Sequence, residues 1–283
     1  MRDEFYFPSK DGNTEIHTIE WKPEGEVRAV LQICHGMVEY IKRYDEFAQF
    51  LCEKGFYVVG NDHLGHGKSV QSKSEYGFFD KKYGNACVLG DIHTLRRRTA
   101  KKYPEVPYFM LGHSMGSSLL FIKRLCRLMA AVRGWHYRSR MIDELVTGSF
   151  NKKFKPAATR ADWITSDKEH LEAYVSDPLC SFIFTVNAYY CMMSGMLGMQ
   201  KKENISMIPK GLPVLFVSGA EDPVGNFGKG VRKVCETYRS AGMQDVSLRL
   251  YEGDRHEILN ETDRYRVYQD LYEWFEEKAD NRK

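Results

Sequence analysis

Apolar residues fall into two recurring patterns along most of the chain. Short continuous runs, as expected for strands buried on both faces, alternate with longer stretches in which apolar positions recur every three or four residues. The opening stretch, EFYFPSKDGNTEIHTIEWKP, reads as two strands around the turn signal Lys10-Asp11-Gly12-Asn13, a hairpin. RAVLQIC, FYVVGND and VPYFMLGHS read as buried strands. Helices are expected after each. YDEFAQFLCEKG carries Phe47, Phe50 and Leu51 on one side and stops at Gly55. NACVLGDIHTLRRRTAKKYP has Leu89, Ile92 and Leu95 in register and is closed by Pro104, and GSSLLFIKRLCRLMAAV follows the third strand. The alternation resumes with strand LPVLFVSG, helix GKGVRKVCETYRSAG, strand VSLRLYEGDRHE and helix DRYRVYQDLYEWFEEK. In the last two helices, Val231, Val234, Cys235 and Tyr238, then Val267, Leu271 and Phe275, are expected to face inward. This rhythm predicts an α/β fold: a mostly parallel sheet with helices on both faces and sites at the carboxyl ends of its strands.

Residues 124–206 break the rhythm, with no buried-strand signal before residue 180. They are expected to form a helical cap inserted between two parts of one core, residues 1–123 and 207–283. The cap ends in the Met- and aromatic-rich LCSFIFTVNAYYCMMSGMLGM, which suits an apolar ligand but also simple packing of cap on core. Phe182, Phe184, Met192 and Met193, with Glu39 from the core, are the candidate substrate contacts.

Candidate chemistry collects at the strand ends. Gly112-His113-Ser114-Met115-Gly116 is a G-x-S-x-G pattern directly after a buried strand, as in a nucleophile elbow. Its glycines would relieve crowding where a sharp turn lifts Ser114 above the sheet. Asp222 and His256 follow two later strands, in the order Ser, Asp, His. In this reading Ser114 attacks a carbonyl, His256 takes its proton and Asp222 holds the imidazole. The backbone N–H groups of Met37 and Met115 are the candidate oxyanion hole. Glu221 and Asp254 compete with Asp222, which is favoured because Pro223 would fix its side chain in a tight turn. DHLGHGKS, residues 62–69, approaches a P-loop, but Asp62 stands where the first glycine should be and no good helix follows. His63 and His66 lack a carboxylate or Cys partner at a recognisable metal spacing, so structural roles are expected.

Composition narrows the setting. A net charge of +3 over 283 residues gives no argument for nucleic acid, and no apolar run reaches the length of a membrane span. The N-terminus has no secretory pattern, and seven scattered cysteines favour reduced thiols, so a cytoplasmic protein is expected.

The segments HGMVEYIKRYDEFAQFL, GNDHLGHGKS, LGHSMGS, VSGAEDPVG and YEGDRHEILNE resemble α/β-hydrolases of the monoacylglycerol lipase and lysophospholipase group, the serine aminopeptidase S33 or Hydrolase-4 type. DPLCSFIFT is similar to the bacterial branch. The resemblance implies Ser114, Asp222 and His256 as triad, Met37 and Met115 as oxyanion hole, and no cofactor. The implied substrate is a small-molecule carboxylic ester with an acyl chain; an exposed apolar cap would serve transient contact with a lipid or micelle surface, or a dimer partner, equally well. Two departures stand out. Tyr40 replaces the last histidine of the group's H-G-x-x-E-H pattern, where it would change contacts on the alcohol side of the substrate. The apolar strand that should follow the nucleophile helix is missing, since LLFIKRLCRLMAAVRGWHYRSRMIDEL runs on with helical spacing at 121, 125, 128 or 129, and 132. A sheet lacking that strand, or a chain that has lost a segment, is expected. Two other readings remain: an aminopeptidase or amidase on the same triad, and a non-catalytic acyl-binding protein.

Overall fold

The computed structural model describes residues 1–114 and 119–280, with the side chains of 119–121 left out. The opening hairpin forms as the turn signal predicts: β1 (Arg2–Pro8) pairs antiparallel with β2 (Glu15–Trp21) around Gly12, whose φ is +80°. Asp11 fixes the turn by accepting the Asn13 and Thr14 N–H groups. β3 (Ala29–Cys34), β4 (Phe56–Asn61) and β5 (Tyr108–Gly112) complete a five-stranded sheet of order β1-β2-β4-β3-β5. β3 runs parallel to both β4 and β5. All six residues of β4 are buried, which explains why its sequence is apolar without alternation.

Later in the chain, β6 (Val214–Gly219) and β7 (Val246–Tyr251) form a separate parallel pair. Among the described residues no strand lies between β5 and β6, so the sheet is split where the sequence lacks a strand. The exposures record the gap. Met110 of β5 is 49% exposed, and Val214 to Val217 of β6 are only half-buried.

The helices divide between the two parts. α1 (Asp45–Glu53) and α9 (Arg264–Asp280) cover one face with Phe47, Leu51, Val267, Leu271 and Phe275, as their periodicity predicts. α2 (Gly84–Lys102) buries Leu95 on the other face but leaves Leu89 65% exposed, against the expected register. α3 (Leu119–Arg133) also departs from expectation. Instead of lying on the sheet, it packs against α6 (Val186–Met199) through Ile122, Cys126 and Ala130. Of the alternatives 128 and 129, Met129 packs on the same cluster while Leu128 is exposed, as is Val132. α4 (Arg140–Thr147), α5 (Lys168–Ser176) and α7 (Lys202–Ser206) complete the region before β6. α8 (Lys229–Ser240) buries Cys235, while Val234, also expected inside, is 40% exposed beside the gap. All seven cysteines are unpaired.

Candidate active site

β5, β6 and β7 each deliver one of the expected groups. Ser114 follows β5 with φ +78°, a strained conformation for a serine and one typical of functional turns. Its Oγ lies 2.9 Å from His256 Nε2, and His256 Nδ1 lies 3.1 Å from Asp222 Oδ2. Ser114, His256 and Asp222 therefore form one chain of hydrogen bonds, although they come from the two separate sheets. Asp222 is buried and accepts the Val224 N–H through Oδ1. Burial alone would raise its carboxyl; the adjoining His256 ring outweighs that and holds it below the ordinary range. Pro223 acts as expected, its carbonyl accepting the Asn226 N–H in the turn that closes over Asp222. The rival acids point elsewhere. Glu221 pairs with Lys153. Asp254 sits against Asp263 and Glu261, where burial and those carboxylates push it up to about 7.

The loop after β3 runs beside the nucleophile. A Cβ on Gly36 would stand 3.1 Å from Ser114 Cβ and 2.7 Å from Glu39 Oε1, so only glycine fits there. Met37 comes next, and among the described residues no acceptor takes its N–H. Met115, the other expected donor, and Gly116 lie outside the described residues. Among the described residues, a Cβ on Gly112 would meet nothing within 4 Å.

A family model described as Hydrolase_4, serine aminopeptidase S33, matches residues 25–263. The chain belongs to that family. Its relatives include the monoglyceride lipase of Rattus norvegicus, 28% identical over 262 residues that cover 85% of this chain and 79% of the relative. The monoacylglycerol lipase of Mycolicibacterium smegmatis is 26% identical over 287 residues, 96% of each chain. A thermostable carboxyl esterase from Bacillus coagulans, solved with glycerol, superposes with TM-score 0.90 at 25% identity, covering 97% of this chain and 98% of that one. The fold is that of the α/β-hydrolases.

In this hydrolase Ser114, Asp222 and His256 open onto a cleft of about 1390 Å³. Glu39 lines it but is not free to bind substrate. Its carboxylate meets His113 Nδ1 at 2.6 Å and Arg43 at 3.5 Å. Burial would raise Glu39; His113 and Arg43 hold it low. Burial likewise opposes the charged form of His113, yet Glu39 prevails and raises that ring to about 9. His113 Nε2 in turn reaches the His256 carbonyl at 3.4 Å. Arg43 also forms a two-pronged pair with Glu257, next to His256. Phe182, Phe184, Met192 and Met193 are not among the cleft's lining residues; they belong to one apolar cluster with Met37 and Val38 of the loop after β3 and with Ile122 and Cys126 of α3, Phe184 and Met193 being 1% exposed. Met196 and Met199 of α6 line the cleft instead.

The other sequence motifs prove structural. Asp62 of DHLGHGKS is fully buried and accepts hydrogen bonds from Ile41, Lys68 and His17, so the loop winds around a carboxylate. His35, His63 and His66 support that winding: His35 Nε2 accepts the His63 N–H at 3.0 Å, and His66 Nε2 accepts the Val38 N–H. Tyr40 donates to Asp177 at 2.8 Å, tying the loop after β3 to the segment after α5. Sequence reasoning missed residues 162–165, which grip the histidine loop. The Trp163 and Ile164 carbonyls accept the His256 and Glu257 N–H groups, and the Trp163 ring lies 5.0 Å from that of His256. Nothing in the composition of that stretch marks it.

Proposed function

We propose that the protein is a serine ester hydrolase that cleaves acyl esters of small alcohols, of the monoacylglycerol or lysophospholipid kind, through an acyl-enzyme. The hydrogen-bonded chain Ser114–His256–Asp222 carries this reading. Ser114 Oγ attacks the ester carbonyl as His256 Nε2 takes its proton, and the Met37 N–H, with that of Met115, receives the charge on the carbonyl oxygen. Collapse expels the alcohol with the proton from His256; a water activated by the same ring then releases the acid. The named relatives support ester substrates over peptides, and so does the site. Its carboxylates Glu39, Glu257 and Asp222 are all engaged by His113, Arg43 or His256, leaving none to hold the free amine of an aminopeptidase substrate. We assign residues 1–123 and 207–283 to the core and 124–206 to the cap, with packing among α3, α4 and α6 in support. Among the described residues no helix is long and apolar enough to cross a membrane, in keeping with a cytoplasmic enzyme.

Hydrolysis of p-nitrophenyl acetate and of an aminoacyl p-nitroanilide tests the reading. Ester turnover that falls by about 10⁴-fold or more in Ser114→Ala, with no anilide turnover, is expected. Ester turnover equal in wild type and Ser114→Ala would refute it.

A further inference from the structure

We propose that His66 is a positioning residue for the oxyanion hole: its ring, wedged between the segment before α6 and the loop after β3, holds the turn at Val38 that presents the Met37 N–H. The inference rests on the ester-hydrolase reading above and names what fixes one donor of that site. Val38 has φ +54°, a conformation that β-branched residues rarely adopt. Such a conformation persists only where its surroundings hold it. Two contacts do so here. The Val38 side chain is 8% exposed and packs in one apolar cluster with Phe184, Val186 and Tyr189. Its N–H is accepted by His66 Nε2 at 3.4 Å.

His66 is suited to that task by its own bonds. Nδ1 donates to the Leu64 carbonyl at 3.0 Å, which leaves Nε2 with a lone pair for Val38. Burial outweighs the nearby Asp62 and Glu39 and disfavours the charged ring, so the acceptor is kept at neutral pH. Phe184, Phe182 and Phe79 surround the ring at 5.3, 5.9 and 5.9 Å between centroids, and His35 completes the enclosure at 5.0 Å. Phe182 and Phe184, expected to touch substrate, act at one remove by fixing His66. The chain is pinned on both sides of the turn, at His35 by the His63 N–H and at Ile41 by Asp62. A change of φ at Val38 must therefore be taken up between those pins, where Met37 lies.

The test measures kcat and KM for p-nitrophenyl acetate. His66→Phe keeps a ring between Phe182 and Phe184 but accepts nothing from Val38. It is expected to lower kcat about 10²-fold with KM changed less than about threefold, as the loss of one oxyanion donor does. Adding Val38→Gly lets the turn keep its positive φ without the bond, so the double variant is expected to recover at least about tenfold in kcat. A His66 that only filled space would gain nothing from the loss of a second buried side chain. His66→Leu is read in the same way where urea denaturation shows that His66→Phe does not fold. A folded single variant with kcat within about twofold of wild type, or a double variant no faster than the single one, overturns the proposal. Turnover in wild type that Ser114→Ala abolishes reads the hydrolase assignment separately; its absence refutes that reading, and the positioning role with it.

Discussion

At the residue scale, the same residue type carries different constraints at different strand ends. Gly219 closes β6 with its Cβ position 2.1 Å from the Arg255 carbonyl oxygen and 2.2 Å from that of Asp254. Backbone cannot yield there as a flexible side chain can. Gly219→Ala is therefore expected to cost about 1–3 kcal/mol and to disturb the loop that carries His256. Gly112→Ala meets nothing within 4 Å among the described residues and is expected to change stability by less than about 0.5 kcal/mol. Urea denaturation of the two variants checks the pair, and equal losses would contradict the different surroundings of the two glycines. The hydrogen-bonded set Ser114, His256 and Asp222 was legible in sequence because each member sits at the end of an apolar run. His113 was legible only as the x of G-x-S-x-G. Its bond to Glu39 joins residues far apart in the chain, which no local spacing reveals.

At the element scale, strands β3 and β4 were plain because burial on both faces removes alternation from their sequence. The missing strand was equally plain as an absence, and the structure answers it with two sheets where one would be expected. The fate of α3 was less legible. A helical period tells how residues are spaced, not which partner receives them, and Ile122, Cys126 and Ala130 fit α6 as well as they would fit a sheet. Leu89 is exposed because the buried face of α2 is the row Cys87, Asp91, Leu95 and Thr99, from which Leu89 stands about a third of a turn away. The Met-rich α6 was open to two readings, ligand lining or packing, and it holds both: Met193 packs inside its cluster while Met199 lines the cleft.

At the scale of the whole molecule, the buried histidines set how stability varies with pH. Burial, with help from neighbouring His66, pushes His63 down to about 4, and burial lowers His35 and His66 as well. Their contribution is complete above the unfolded value of about 6.5 and is lost as pH falls toward 4, on the order of 3 kcal/mol for His63. His113 has the opposite sign. Raised to about 9 by Glu39 against its burial, it stabilises below about 6.5 and loses that effect as pH rises through 9. Urea midpoints are therefore expected to peak near neutrality and to decline on both sides. A midpoint rising steadily from pH 5 to 9 would contradict the assignment of these four rings.

The central claim is that two separate sheets still assemble one reactive serine. Intact-mass measurement after treatment with a fluorophosphonate tests it most directly, since rapid phosphonylation needs a serine activated by its histidine. We expect one adduct per chain, mapped to Ser114, formed within minutes and absent in Ser114→Ala and His256→Ala. A folded wild-type protein that takes up no adduct, or takes it up equally in Ser114→Ala, would contradict the account.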